Sequence, residues 1–136
     1  MKRKYDLAGK LIGLAMKVHS SLGPGFLESV YQKAIAYEMK RAGLKFEEQK
    51  PLKVFYDDVL VGEFVADFLV EDELIVALKA ILALAIAHEV QTVNYLSATG
   101  IDVGLLINFG AERLEFKKKF RLPKHKNRSE YFVHSV

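Results

Sequence analysis

Asp67 and Lys79 are the residues whose types and positions most directly suggest chemistry. Asp67 ends the strand-like stretch 64–67, and Lys79 ends a second apolar stretch, 74–79, after a short acidic turn. An aspartate on one strand beside an acid-x-lysine on its neighbour could bind magnesium and act on a phosphodiester. Alternate residues of a strand share a face, so the expected acid is residue 77, which is alanine. The sequence therefore predicts a hydrolytic site that lacks one oxygen donor.

The same residues also have ordinary structural explanations. An aspartate before a turn is commonly a cap, and a lysine in an apolar strand must either reach water or meet a carboxylate. Glu28 is favoured near a helix N-terminus by the helix dipole. Gln91 and Tyr95 are four residues apart and share a helix face, so they could both reach a site or simply form a polar edge. Residue types alone leave both explanations open.

Composition limits the classes of protein that fit. The chain has 136 residues, 51% of them hydrophobic, which suits one domain with a sizeable core. Its net charge of +3 and pI near 9.0 are compatible with nucleic acid but too weak to argue for it alone. There are no cysteines, so disulfides and thiolate metal sites are excluded and we expect a cytoplasmic protein. The first residues lack the continuous apolar core of a signal peptide, and we expect no membrane contact.

Hydrophobic periodicity predicts a mixed order of helices and strands. One helix is predicted from residue 7 to beyond 18, and a second over 27–42 that buries Val30, Ala34, Ile35 and Met39. A third helix is predicted over 88–99. Strands are predicted over 45–49, 52–56, 59–69, 74–79, 103–109 and 113–120. This order predicts one mixed α/β domain over 1–121, followed by a basic, mobile tail over 122–136.

The segment 74–87 is entirely apolar except for Lys79. At 14 residues it is shorter than the roughly 20 that a membrane-spanning helix needs. We interpret it as a buried central strand followed by the start of a buried helix, since Val, Ile and Leu fill such strands. The alternative is an exposed apolar surface that seals a dimer or partner interface.

Several motifs together resemble the bacterial GxxExxY proteins. Residues 25–31 read GFLESVY and follow Leu22-Gly23-Pro24, and the later segments 62–67, 94–96 and 104–110 also look like that family. The resemblance covers roughly residues 7–121. The family is placed among the PD-(D/E)xK, restriction-endonuclease-like nucleases, so the resemblance implies a central mixed β-sheet flanked by helices.

The resemblance also implies a role for each candidate residue. Asp67 matches the family's metal-binding aspartate, and Lys79 matches the lysine that positions the attacking water or neutralises charge on the phosphate. Glu28 matches an acid often found beside the metal. Gln91 and Tyr95 resemble a Gln-x-x-x-Tyr pair of one subgroup. The implied cofactor is Mg²⁺, or alternatively Mn²⁺.

Ala77 departs from the family's pattern at the position that matters most. A metal would retain Asp67, Glu28, a backbone carbonyl and waters, and would be bound weakly or not at all. An acid supplied from a helix, such as Glu89, could replace the missing one.

Two functions therefore remain open. The first is a Mg²⁺-dependent nuclease that hydrolyses phosphodiester bonds of DNA or RNA, with a site impaired by Ala77. The second is a catalytically inactive nuclease-fold module that binds nucleic acid or a protein partner, including a second copy of the chain as a homodimer. A weaker alternative is an engineered or stabilised scaffold with no ligand.

Overall fold

In the part of the chain that the structure describes, five strands form one mixed sheet and three helices cover its faces. The computed structural model describes residues 6–122. The strands lie in chain order, with β3 and β4 parallel and every other neighbouring pair antiparallel. The predicted α/β architecture is thus confirmed. Its elements are α1 (Leu7–Leu22), α2 (Glu28–Arg41), β1 (Phe46–Tyr56), β2 (Val59–Val70), β3 (Leu74–Lys79), α3 (Ile86–Thr99), β4 (Val103–Asn108) and β5 (Glu115–Phe120).

The first helix packs on one face of the sheet through an apolar stripe. The carboxylate of Asp6 accepts the backbone N–H of Gly9 at 3.0 Å and caps the helix N-terminus. Side chains at helical spacing are then buried against α2 and the central strands, as the periodicity predicted: Leu7, Leu11, Ala15 and Val18.

The second helix buries a different set of residues from the one predicted. Ile35 and Met39 are buried as expected, but Val30 and Ala34 are only half-buried. Tyr31 takes the central place because its ring stacks on Phe109 with centroids 4.7 Å apart. The Tyr31 hydroxyl also donates to the Gly23 carbonyl at 2.5 Å and accepts the Phe26 N–H at 3.2 Å. Tyr31 therefore faces the core from α2 and holds the preceding loop against the helix.

The third helix connects the parallel strands β3 and β4 and packs on the face of the sheet opposite to α1 and α2. It lies close to β4 at Gly104, where an added methyl group would lie 3.1 Å from Thr92 and 3.2 Å from Leu96. Tyr95 and Leu96 form a second, smaller core with Leu52 and Ile75. The absence of a side chain at position 104 thus lets α3 lie directly on the sheet.

The prediction of two separate strands over 45–49 and 52–56 was wrong, because β1 runs without interruption through Pro51. A proline has no N–H to give to a sheet ladder, but among residues 6–122 β1 is an edge strand paired with β2 alone. The proline costs no hydrogen bond when its nitrogen faces the open edge. A register shift between Val54 and Phe55 then precedes the turn at Asp57.

The apolar segment 74–87 divides into two parts with opposite environments. Leu74 to Leu78 are buried in β3, which confirms the strand in our interpretation. The buried helix start was wrong, because Leu82 is 89% exposed and Ile86, the first residue of α3, is 74% exposed. Val90, one turn later, is 53% exposed. This apolar stretch therefore includes a solvent-facing surface.

Polar anchors explain why that loop does not turn inward. The side-chain oxygen of Asn108 accepts the N–H of Ile81 at 2.9 Å, and its amide donates to the Ile81 carbonyl at 2.9 Å. The Glu115 carboxylate accepts the N–H of Leu84 at 3.0 Å. These bonds fix residues 80–85 as an irregular connection, so the next helix begins outside the core.

Two further expectations concern the ends of the chain and membranes. The strand predicted over 113–120 begins at Glu115. The basic tail predicted over 122–136 lies, beyond Leu122, outside the described residues. No helix in the described part of the chain has the length and apolar character needed to cross a membrane.

Candidate active site

Asp67 lies where the pairing between β2 and β3 ends. The last paired residues are Phe68 and Val76, one step further along each strand. Instead of a backbone partner, the N–H of Leu78 donates to Oδ2 of Asp67 at 2.7 Å. The carboxylate is therefore fixed against β3 by the backbone of the very strand that carries Lys79.

Ala77 and Lys79 occupy the positions on β3 that the sequence predicted. Ala77 aligns with Leu106 of β4, and Lys79 aligns with Asn108. The two residues share one face of the sheet, which is the face that α3 crosses. Ala77 is only 4% exposed, whereas Lys79 is half-buried. A longer side chain at 77 would thus begin in the core and extend beside Lys79.

Asp67 is half-buried and Glu28 is exposed at its surface, yet burial of part of each carboxyl group disfavours its ionised form. It raises the pKa of Asp67, and hydrogen bonds from Leu78 and Gln49 and the charge of Lys79 offset this effect only in part. It also raises the pKa of Glu28, which the Asp67 charge raises further while Lys79 opposes the shift. Within residues 6–122, Lys79 forms no ion pair shorter than 4.0 Å. The site therefore has acidic groups that no direct ion pair neutralises.

Glu28 reaches this place because the loop before α2 is tied down. It is the first residue of α2, and Tyr31, one turn later, binds the loop at Gly23 and Phe26. The glutamate and the tyrosine of the Gly-x-x-Glu-x-x-Tyr motif thus have different roles. Tyr31 fixes the helix entry, and Glu28, at the start of that helix, is near enough to Asp67 and Lys79 for their charges to act on its pKa.

Tyr95 of α3 faces the same group of charges, whereas Gln91 is not bonded to it. Burial raises the pKa of the Tyr95 hydroxyl, and the charges of Asp67 and Glu28 raise it further. Gln91 lies one turn earlier and is half-buried, but no side-chain hydrogen bond in the described part of the chain joins it to Asp67. The structure brings four of the five candidates together, and the roles assigned to them stay predictions.

Glu89 does not stand in for the missing acid. Its carboxylate accepts from the Lys119 ammonium at 2.9 Å, and this bond lowers the pKa of Glu89. The neighbouring His88 accepts the N–H of Ala85 at 2.9 Å through Nδ1 and so caps α3. Both residues have structural partners outside the group formed around Asp67.

Two amide residues that the sequence analysis missed extend the site. Gln49 of β1 donates through Nε2 to Oδ1 of Asp67 at 3.4 Å and to Oε1 of Gln32 at 2.8 Å. Gln32 lies one turn after Glu28 on α2. A polar residue in strand β1 was the available signal, but its register with Asp67 is set by a bulge that the sequence did not reveal.

The chemistry of these groups fits a hard divalent cation held by few protein ligands. Asp67 and Glu28 offer carboxylate oxygens whose negative charge is poorly compensated, and Gln49 and Gln32 add amide groups beside them. Within residues 6–122, no group of three or more His, Cys, Asp or Glu side chains is arranged to hold a metal ion. A cation here would therefore depend on two carboxylates and retained waters.

Asp67→Asn is expected to make the metal-free protein more stable at neutral pH. Because folding raises the pKa of Asp67, its ionisation favours the unfolded state, so stability is gained as pH falls through the raised pKa. Asparagine keeps an oxygen for the Leu78 N–H, removes the charge and gives up only the long 3.4 Å hydrogen bond from Gln49. We expect a gain on the order of 0.5 kcal/mol, because solvent screens part of the charge. Urea unfolding at pH 7 and pH 4 would measure it, and an equal or larger gain at pH 4 would contradict this explanation.

Comparisons with known proteins identify the superfamily of the chain. Residues 5–120 match the family model described as PD-(D/E)XK nuclease superfamily. A comparison with curated proteins finds no match. A solved structure described as "Crystal structure of SSO0001" is 13% identical, with a TM-score of 0.48 over 96% of this chain and 85% of that chain. The family-model match confirms the superfamily expected from the motifs, while the GxxExxY assignment stays a prediction.

Proposed function

Because the chain belongs to the PD-(D/E)XK nuclease superfamily, we propose that it is a nuclease that hydrolyses phosphodiester bonds of DNA or RNA with Mg²⁺ or Mn²⁺. The observation that carries the proposal is that Asp67 is bonded to the strand that carries Lys79, close enough to Glu28 for the charges of Asp67 and Lys79 to act on the pKa of Glu28. Ala77 lowers the affinity for the cation and hence the rate. The activity is that of an impaired member of a nuclease superfamily.

Each residue of the site has a chemical role in this proposal. Asp67 and Glu28 would hold the cation, which supplies charge that activates a water and stabilises the phosphate. The Lys79 ammonium places a fixed positive charge beside the phosphate and orients the water. The Tyr95 hydroxyl is protonated at neutral pH, and its raised pKa favours that form further, so it can donate to a phosphate oxygen. Gln91, one turn away, would contact the substrate rather than the cation.

Cleavage is expected to require both the cation and Lys79. Titration with Mg²⁺ and Mn²⁺ against single- and double-stranded DNA and RNA should show metal-dependent cleavage by the natural chain. Asp67→Asn and Lys79→Ala should each lower the rate by about 100-fold or more. Lys33→Ala, which removes an exposed lysine from α2, is the control for net charge and should cleave normally. Cleavage that survives Lys79→Ala would contradict the assignment.

A nuclease-fold module that binds without cleaving is the second candidate, and Ala77 favours it. Such a protein should bind nucleic acid with an affinity that falls steeply as salt rises, because phosphate contacts release counterions. The exposed apolar residues Leu82, Ile86 and Val90 favour a protein partner, including a second copy. Nucleic-acid binding that weakens steeply with salt would favour a nucleic-acid partner. A dimer in sedimentation experiments, with no affinity for nucleic acid or with binding that salt does not change, would favour a protein partner.

A further inference from the structure

Gln49 has a backbone conformation that is unusual for its place in the chain. Its φ is +49°, in the left-handed region that costs a residue with a side chain roughly 1–2 kcal/mol. The other described non-glycine residues with positive φ lie in turns, where this conformation is common: Asp57, Glu71 and Asp72. Gln49 instead lies inside strand β1.

The conformation directs the Gln49 side chain to the site. Gln49 lies across from Asp67, between the paired residues Glu48–Phe68 and Lys50–Ala66. Its amide nitrogen is 2.8 Å from Oε1 of Gln32 and 3.4 Å from Oδ1 of Asp67. The side chain thus bridges from α2, one turn after Glu28, to the carboxylate on β2.

We propose that Gln49 is a positioning residue, which uses its strained backbone to hold the Asp67 carboxylate at a fixed place relative to Glu28. Gln32 orients the Gln49 amide, and Asp67 is held from two sides, by Gln49 at Oδ1 and by the Leu78 N–H at Oδ2. The inference rests on the proposed function, because the separation of two carboxylates matters only if they bind a cation together.

A neutral amide suits this position better than a charged side chain. A lysine at 49 would neutralise Asp67 and compete with a cation, whereas a glutamate would repel both carboxylates in the metal-free protein. Glutamine donates a hydrogen bond and leaves the negative charge available. The strain is then the cost of placing an uncharged donor beside Asp67.

The test uses Gln49→Gly, because glycine adopts the same φ without strain and lacks the amide. We expect the melting temperature to change little, since relief of strain offsets the greater freedom of the unfolded glycine chain. Affinity for Mn²⁺, measured by calorimetry, should fall about 10-fold or more, as when a partner of a metal ligand is removed. The amide-proton resonance of Leu78 should also shift in the metal-free protein. Gln32→Ala should change both in the same direction by less.

Asp57→Gly is the matched control, since it relieves a positive φ of +54° in an exposed turn. It should leave Mn²⁺ affinity and the Leu78 resonance unchanged. If Gln49→Gly also leaves both unchanged, Gln49 has no positioning role and the inference is overturned. If the natural chain binds no Mn²⁺, the proposed function fails, and the Leu78 resonance alone decides. A shift in Gln49→Gly then supports the positioning of Asp67, and no shift overturns it.

Discussion

Ala77→Glu is expected to raise the affinity for Mg²⁺ and Mn²⁺ at least about 10-fold, which corresponds to about 1.4 kcal/mol. The new carboxylate would share a strand face with Lys79 and lie next to the strand that carries Asp67. It would add the hard oxygen donor that the site lacks. Calorimetric titration would measure the affinity, and metal-dependent cleavage should rise with it.

The same substitution should make the protein less stable without metal. Ala77 is 4% exposed, and a buried glutamate joins two carboxyl groups whose pKa values burial already raises. Added Mg²⁺ should restore stability, because it binds only the folded protein. Ala77→Gln is the matched control for size and should gain much less affinity. If Ala77→Glu folds but binds no better than Ala77→Gln, the site does not need that carboxylate.

Asn108→Leu is expected to lower the free energy of unfolding by about 3 kcal/mol, a large effect for one buried polar residue. Asn108 is fully buried and forms four hydrogen bonds. Two join it to the backbone of Ile81, one to Glu115 and one to the N–H of Gly110. Leucine has nearly the same size but cannot satisfy these groups, so the backbone of the 80–85 loop loses its anchor.

Urea unfolding and hydrogen exchange would check the Asn108 prediction. The amide of Ile81 should exchange much faster in the variant, because its acceptor is gone. Asn94→Leu, at an exposed position on α3, is the matched control and should stay within about 0.5 kcal/mol of the natural chain. A loss below about 1 kcal/mol for Asn108→Leu would show that water can replace the amide. Cleavage should also slow, since Lys79 lies two residues before Ile81.

The elements could be predicted from the sequence wherever one local pattern decided them. The stripe of α1 and the runs of β3 and β4 had periods that match their burial. Asp67, Lys79, Glu28 and Tyr95 could be placed near one another because motifs and strand order brought them together. The inward face of α2 was partly wrong because Tyr31 is held by Phe109 and Gly23, which are distant or irregular in the chain.

Gln49 could not be found by counting along the hairpin. The pairs nearest the turn are Tyr56–Val59 and Phe55–Leu60, and extending that register would place Gln49 opposite Ala66. The bulge between Val54 and Phe55 moves the register by one residue and places it opposite Asp67. Bulges depend on the three-dimensional path of the strands, so this neighbour became visible only in the structure.

The exposure of part of the segment 74–87 could not be predicted from the sequence either, because it also depends on residues distant in the chain. Hydrophobicity indicates which residues favour burial, but the environment of Leu82 and Ile86 is decided by distant polar groups on β4 and β5. Asn108 and Glu115 looked like ordinary strand-end residues in the sequence. Their hydrogen bonds override the apolar pattern because unsatisfied backbone groups would cost more than two exposed side chains.

The hydrogen bond from Leu78 to Asp67 gives this aspartate a reason to persist that is independent of catalysis. Two neighbouring strands separate at this residue, and its carboxylate satisfies the first backbone group left without a partner. The side chain at position 77 accepts no such backbone hydrogen bond. A lineage that no longer needed hydrolysis could therefore carry alanine at 77 while keeping Asp67. In such a fold, we expect an aspartate that also completes the backbone hydrogen bonding to outlast residues that serve hydrolysis alone.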